Sequence, residues 1–164
     1  MATTFERPLL AADVVIIARA AGSLQVLLVK RRYPPFAGRW AIPGGLVEKG
    51  EPIETAARRE LFEETGLAGG RLYEFGAFGD PKRDPRGRVV SIAYLALLDQ
   101  KRLKPRAGDD AAEVKWFSFL HPPALAFDHR LLLRRARARL EELAQLDPDL
   151  RRRLPSRLFP ARRS

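Results

Sequence analysis

A glycine pair at positions 44 and 45 opens a short loop, and the 23 residues from Gly45, GLVEKGEPIETAARRELFEETGL, run on into an acid-rich segment with helical spacing. Pro52 suits the first turn of a helix, where its missing N–H costs nothing, and Gly66 suits the left-handed residue just past a helix end. The pattern therefore predicts a helix from about Pro52 to Thr65. Inside it Glu60, Glu63 and Glu64 stand at i, i+3 and i+4, which stacks their carboxylates on one side, a turn apart. On a helical projection Glu60 and Glu64 fall in the same arc as Ile53, Ala56, Ala57 and Leu61, the side an amphipathic helix turns toward its protein. Carboxylates on such an arc repel one another and lose hydration, at a cost of about several kcal/mol per ion, so a cation belongs among them. Mg²⁺ prefers carboxylate and water oxygens and is commonly shared between a few carboxylates and substrate phosphates. Glu60 and Glu64 are thus candidate metal ligands. Arg59, one turn before Glu63, is placed to pair with it and hold one carboxylate while the others ligate.

The segments on either side read as strands and loops. Leu9 to Arg19 holds a near-continuous run of alanine, valine and isoleucine, the pattern of a strand buried on both faces, and Leu24 to Arg31 returns as its hairpin partner. Trp40 to Ile42 is a short strand, with Trp40 a core residue, and it delivers the bare glycine backbone to which a metal or phosphate can come close. Arg71 to Phe78, Val89 to Leu98 and Glu113 to Phe119 read as further strands, and Asp128 is placed to cap a helix from His129 to about Leu146.

Arginines mark the loops. Arg31, Arg32 and Arg39 flank the loop before Trp40 and suit bidentate contact with phosphate oxygens. Gly79 to Arg88, GDPKRDPRGR, interleaves Asp80 and Asp84 with Lys82, Arg83, Arg86 and Arg88, a density of charge suited to folding over a diphosphate.

Composition narrows the class. At 164 residues and 46% hydrophobic content, residues 1 to 146 are expected to form one domain, and residues 147 to 164 a basic, loosely ordered tail without periodicity. Cysteine is absent, which excludes disulfides, thiolate metal sites and cysteine nucleophiles and suits a cytoplasmic location. No apolar run is long enough to span a bilayer and no secretory leader is evident, so no membrane partner is expected. Of the net charge of +10, residues 128 to 164 carry +6, with eleven arginines against five acids. Basic surface raises encounter rates with anionic substrates without requiring a nucleic acid. His121 and His129 show no ligand spacing and are not assigned to metal.

From Gly45 through Glu51, Arg59, Glu60, Leu61, Glu63, Glu64, Gly66 and Leu67, the stretch resembles the Nudix box in every defined position. The segment FGDPKRDPRGRVVSIAY and the run Ala126, Phe127, Asp128, His129 are similar to the ADP-ribose pyrophosphatase branch and its regulator relatives, which raises Phe127 as a base-stacking residue. The resemblance covers about residues 10 to 145. It implies the Nudix fold, an α/β (α+β) architecture with a mixed β-sheet core between helices, and Mg²⁺-dependent hydrolysis of a nucleoside diphosphate linked to X, with Mn²⁺ as a substitute cation. For ADP-ribose the products are AMP and ribose 5-phosphate. Expected metal contacts are Glu60, Glu64, Glu63 and the Gly45 carbonyl; Glu51 is expected to orient Arg59 or a metal ligand and not to bind the metal itself. The proton acceptor is Glu63 or one of Asp109, Asp110 and Glu113, acids of the loop and strand start that serve as base in some members. Substrate contacts are expected from Arg31, Arg39, Arg83, Asp84, Arg86 and Phe127. The resemblance also implies a nucleotide or nucleotide-sugar ligand and a homodimer. Nucleoside triphosphate pyrophosphohydrolysis of the oxidised-dGTP type is the alternative activity. A nucleotide sensor that reads DNA is a further reading; only about 18 residues follow the last expected helix, too few for a DNA-reading domain, so no specific nucleic acid is expected.

Overall fold

The computed structural model describes residues 4–20, 22–98 and 104–158; parts of the first hairpin turn, of the loop expected over 99–110 and of the C-terminal tail lie outside the described residues. A sheet is built from β1 (Leu9–Ala20), β2 (Ser23–Arg31), β3 (Trp40–Ala41), β4 (Gly44–Leu46), β5 (Leu72–Phe78), β6 (Val89–Leu98) and β7 (Ala111–Ser118). Its main path runs β3-β2-β1-β6-β5, with β4 on β1 and β7 on β2. The sheet is mixed: β1 lies parallel to β6, from Leu9 opposite Val89 to Ala18 opposite Leu98, and antiparallel to β2 and β4.

The run Ala11–Ala18 is buried throughout, as expected for a strand covered on both faces. Its two-residue period divides the core. Val15 and Ile17 join Val26, Leu28 and Leu95 against Leu132, Ala136 and Leu140 of α2 (His129–Leu146). Val14 and Ile16 join Leu27, Tyr94 and Ala96 against Ala56, Ala57 and Leu61 of α1 (Ile53–Thr65). One helix on each face satisfies both sides of the sheet, which gives the expected sandwich of a mixed sheet between helices.

α1 begins after Pro52 and ends at Gly66, whose φ of 68° is the left-handed conformation the sequence calls for; the Gly66 N–H donates to the Phe62 carbonyl at 2.8 Å. The loop before β7 folds back on this helix end: the N–H groups of Arg106 and Gly108 donate to the carbonyls of Thr65 and Glu64 at 2.8 and 3.3 Å. Orphan carbonyls of the last turn are thereby satisfied.

Three expectations are corrected. Gly44–Leu46 pairs with Ala11–Asp13 as a strand, whereas the glycines read as loop. Asp128 precedes α2 but makes no side-chain cap, because its carboxylate is taken by Arg83. The tail is not loose throughout: α3 (Pro148–Arg153) and a 3₁₀ turn at Ser156–Leu158 follow α2, Asp147 caps α3, and Leu154 and Leu158 pack on the α2 side of the core. The periodicity is too short to read over six residues, and the capping comes from an aspartate that composition alone does not distinguish.

Candidate active site

The α1 wall of the site is organised by one guanidinium. Arg59 donates to both Glu51 oxygens, at 2.9 and 3.1 Å, to Glu60 at 2.7 Å, to Glu63 at 3.0 Å and to the Leu46 carbonyl at 3.0 Å. The pairing with Glu63 was expected, and the contact with Glu51 is one of the two expected for that residue. Their hydrogen bonds hold Arg59 firmly protonated, Glu51 contributing most. Glu60 lies against β4: a Cβ at Gly45 would collide with its carboxylate, so only glycine allows this approach. Glu64 reaches the same strand and accepts the Gly44 N–H at 3.0 Å.

Burial raises the pKa of both inner carboxyls. Glu64 is pushed up to about 8, because burial and the negative charges of Glu60 and Asp13 outweigh the Gly44 N–H and the charge of Arg31. For Glu60, burial outweighs the hydrogen bond and charge of Arg59. Two such carboxylates beside bare backbone form an all-oxygen donor set, which fits a hard divalent cation. Among the described residues no group of three His, Cys, Asp or Glu side chains converges on one point. Glu60, Glu64 and the Gly45 carbonyl would therefore hold such a cation only in part, leaving positions for water and substrate phosphate, the habit of Mg²⁺. Glu63 stays on the outer side, its side chain 56% exposed against Arg59.

Across a cavity of about 500 Å³ lies a second wall. Phe127 carries a positive φ of 51°. The Arg31 and Arg86 guanidiniums sit 5.0 and 5.8 Å from its ring centre, and Phe36 meets it edge-on at 4.8 Å. Arg31 is held by the loop that follows it, donating to the Pro35 carbonyl at 2.7 Å. Arg86 is held by Asp84, a bidentate pair at 3.0 and 2.7 Å, and Asp84 is itself buried. Burial pushes the Asp84 carboxyl up, but the Arg86 bonds outweigh it and leave its pKa below the usual value. Arg31, Asp84, Arg86, Phe127 and Asp110 all line this cavity with Glu60 and Glu64.

Other expected site residues fall elsewhere. Arg39 is exposed and outside the cavity lining. Glu113 also lies outside it, because β7 pairs Glu113 with Lys30 of β2 and their charges meet at 3.8 Å on an exposed face. Asp109 is likewise exposed and outside the lining. Arg83 borders the cavity, yet its side chain is 5% exposed and its fork is committed: it donates to both oxygens of Asp128, at 3.0 and 2.8 Å, and lies 3.5 Å from Asp13. Arg83 thus ties the 79–88 loop to the residue that follows Phe127.

Two buried polar residues of the lining were given no site role from the sequence. Asp13 is a lone acid inside the apolar run of β1, and a charge in a strand buried on both faces was the available signal. His129 lies in the run from Ala126 that is similar to the ADP-ribose pyrophosphatase branch, but a histidine at a helix start carries no signal of its own.

Residues 7–136 match the family model described as NUDIX domain, and the chain belongs to this family. It is 44% identical over 110 residues to the ADP-ribose pyrophosphatase of Methanocaldococcus jannaschii, a match covering 67% of this chain and 64% of that protein. The chain thus spans less than two thirds of that relative's length. Among solved structures, a MutT/nudix family protein from Enterococcus faecalis superposes with a TM-score of 0.81 at 30% identity, covering 98% of this chain and 70% of the other. The NUDIX domain of Shewanella oneidensis NrtR, crystallised with ADP ribose, superposes with a TM-score of 0.75 at 34% identity, covering 83% and 90%. Among the described residues no helix is long and apolar enough to cross a membrane.

Proposed function

We propose that this chain hydrolyses the diphosphate of a nucleoside diphosphate linked to a second group, with ADP-ribose as substrate and AMP and ribose 5-phosphate as products. The observation that carries the reading is that the Glu60 and Glu64 carboxylates line one cavity together with the Arg31 and Arg86 guanidiniums around Phe127. A polyanion with an aromatic base needs all three elements. The name of the Methanocaldococcus relative and the ADP ribose bound to the Shewanella domain support the choice of substrate.

Arg31 and Arg86 would hold the diphosphate oxygens, and Phe127 would stack the base. Glu60, Glu64 and the Gly45 carbonyl would hold a divalent cation, Mg²⁺ with Mn²⁺ as substitute, which when bound offsets diphosphate charge and lowers the pKa of a water. Water adds to one phosphorus, the bridging P–O bond breaks, and two phosphate monoesters leave. A carboxylate accepts the water's proton, and Asp110 is favoured over Glu63 and Glu113 because it alone of the three lines the cavity. The family resemblance extends the proposal to a pair of chains working in the cytoplasm, the pairing to be read by sedimentation.

The test is a substrate panel with Mg²⁺ and with Mn²⁺. AMP release from ADP-ribose should exceed pyrophosphate release from nucleoside triphosphates in kcat/KM. The opposite order would replace the proposal with triphosphate hydrolysis.

A further inference from the structure

The floor of the cavity holds two polar groups that the proposed hydrolysis does not use. Asp13, with its side chain 9% exposed, and His129, 6% exposed, both line the cavity between the α1 wall and Phe127. One side of each is fully engaged. Asp13 Oδ2 accepts from the Ser91 hydroxyl at 2.5 Å and lies 3.5 Å from an Arg83 nitrogen. His129 Nδ1 accepts the Ile42 N–H at 2.9 Å.

That last bond settles the tautomer. Nδ1 is an acceptor, so a neutral ring carries its hydrogen on Nε2. Burial lowers the His129 pKa, against the pull of Asp13 and Asp128, and keeps the ring neutral. Nε2–H and Asp13 Oδ1 then face each other at 3.9 Å, too far for a direct hydrogen bond. Among the described residues neither atom has another hydrogen-bond partner.

We infer that Asp13 and His129 together bind one sugar hydroxyl of the substrate, which accepts from His129 Nε2–H and donates to Asp13 Oδ1. A fixed donor beside a fixed acceptor calls for a group that is both, and a hydroxyl is that group. A phosphate oxygen would accept from His129 but be repelled by the Asp13 carboxylate, and the arginines that suit it lie on the Phe127 wall. Carboxylate recognition of a ribose hydroxyl is a general solution in nucleotide sites. The inference rests on the proposed function in taking this cavity as the substrate's, and it makes the pair a specificity determinant for ribose over deoxyribose.

The wild-type chain tests this directly. It has two histidines, His121 and His129, so ¹⁵N-histidine spectra resolve the relevant ring. With Ca²⁺ present to permit binding, ADP-ribose should shift the His129 Nε2 resonance. An analogue lacking the bound hydroxyl should leave that resonance in place and bind about 10- to 100-fold more weakly, the range for a hydrogen bond to a charged group. Analogues lacking the other hydroxyls one at a time should bind within threefold. In His129→Asn, which keeps an acceptor for the Ile42 N–H and removes Nε2–H, the penalty for the same analogue should shrink to under threefold. If that variant fails to fold, the wild-type spectra decide alone.

If ADP-ribose does not bind at all, the proposed function fails, and the comparison is repeated with ATP, 2′-deoxy-ATP and 3′-deoxy-ATP. Full affinity for every single-deoxy analogue in the series that binds, or a His129 resonance indifferent to the missing hydroxyl, would mean the pair holds only water and would overturn the inference.

Discussion

The two walls of the cavity solve the same electrostatic problem in opposite ways. On the α1 wall charge is concentrated and left in excess: Glu51, Glu60 and Glu63 converge on one guanidinium, Arg59, and Glu64 remains with a backbone N–H and a pKa raised to about 8. On the Phe127 wall Arg31 is held, among the described residues, only by backbone carbonyls, and the other charges are matched: Arg83 with Asp128 and Asp13, and Arg86 with Asp84. The first wall is built to take up a cation and the second to hold a shape. The difference teaches where function costs stability. An unmatched buried carboxylate destabilises the folded chain, and a matched pair is neutral until one member is removed.

The largest effect should therefore come from breaking the matched wall. Arg83→Leu leaves Asp128 and Asp13 without their cation and is expected to cost about 3–5 kcal/mol in urea denaturation. Adding Asp128→Leu to it should recover part of that loss, a non-additivity typical of residues in one network. A loss below about 1 kcal/mol for the single variant would mean that Arg83 does not hold the loop to Phe127.

Next in size is the unmatched wall, where the signs reverse. Glu64→Gln should lower kcat by more than about 100-fold, since even outer partners of metal ligands cost 10- to 100-fold. It should leave the fold intact. Its stability effect depends on pH: the Glu64 carboxyl, with a folded pKa of about 8 against an unfolded value near 4.3, keeps its proton in the folded chain after losing it in the unfolded one. The metal-free protein should lose stability as pH rises from about 4.5 to about 8, because the folded state then binds the extra proton. Denaturation across this range should show the slope in the parent chain and a shallower slope in Glu64→Gln. Mg²⁺ should restore stability most at the upper end, where the carboxylate is free to ligate.

A smaller effect is expected on the Phe127 wall. Arg86 is half-exposed and already partnered by Asp84, so Arg86→Ala, which removes the proposed phosphate contact, should raise KM for ADP-ribose about tenfold with kcat little changed. A fall in kcat at constant KM would instead place Arg86 at the reacting phosphorus.

The same contrast explains what the sequence disclosed. The α1 wall is nearly all contained in residues 45 to 64, so helical spacing alone put Glu60 and Glu64 on one arc and Arg59 a turn before Glu63, and the structure keeps them there. The core strands were legible for the same local reason: Val89–Leu98 is the span the apolar run indicates. The Phe127 wall depends on distant pairs. Arg83 meets Asp128 across 45 residues, Ser91 meets Asp13 across 78, and the Ile42 N–H meets His129 across 87. No spacing rule reaches that far, and so Arg83 read as a phosphate ligand, Asp128 as a helix cap, and Asp13 was passed over within an apolar strand. Gly44–Leu46 was hidden differently, since three residues with two glycines carry no strand propensity and the pairing is imposed by β1.

The smallest effect separates the cavity from the acids near it in sequence. Asp110 and Glu113 are three residues apart, but Asp110 lines the cavity while Glu113 faces Lys30 across the β2–β7 pair. An exposed ion pair of this kind contributes about 0–1 kcal/mol. Glu113→Gln should accordingly leave kcat/KM for ADP-ribose within twofold and stability within about 0.5 kcal/mol, while Asp110→Asn lowers kcat by about 100-fold or more if it accepts the proton. Assays of the two variants side by side, with pH profiles of kcat, check the distinction. Loss of turnover in Glu113→Gln alone would require β7 to shift on ligand binding and carry Glu113 inward, because the β2–β7 register now holds it beside Lys30.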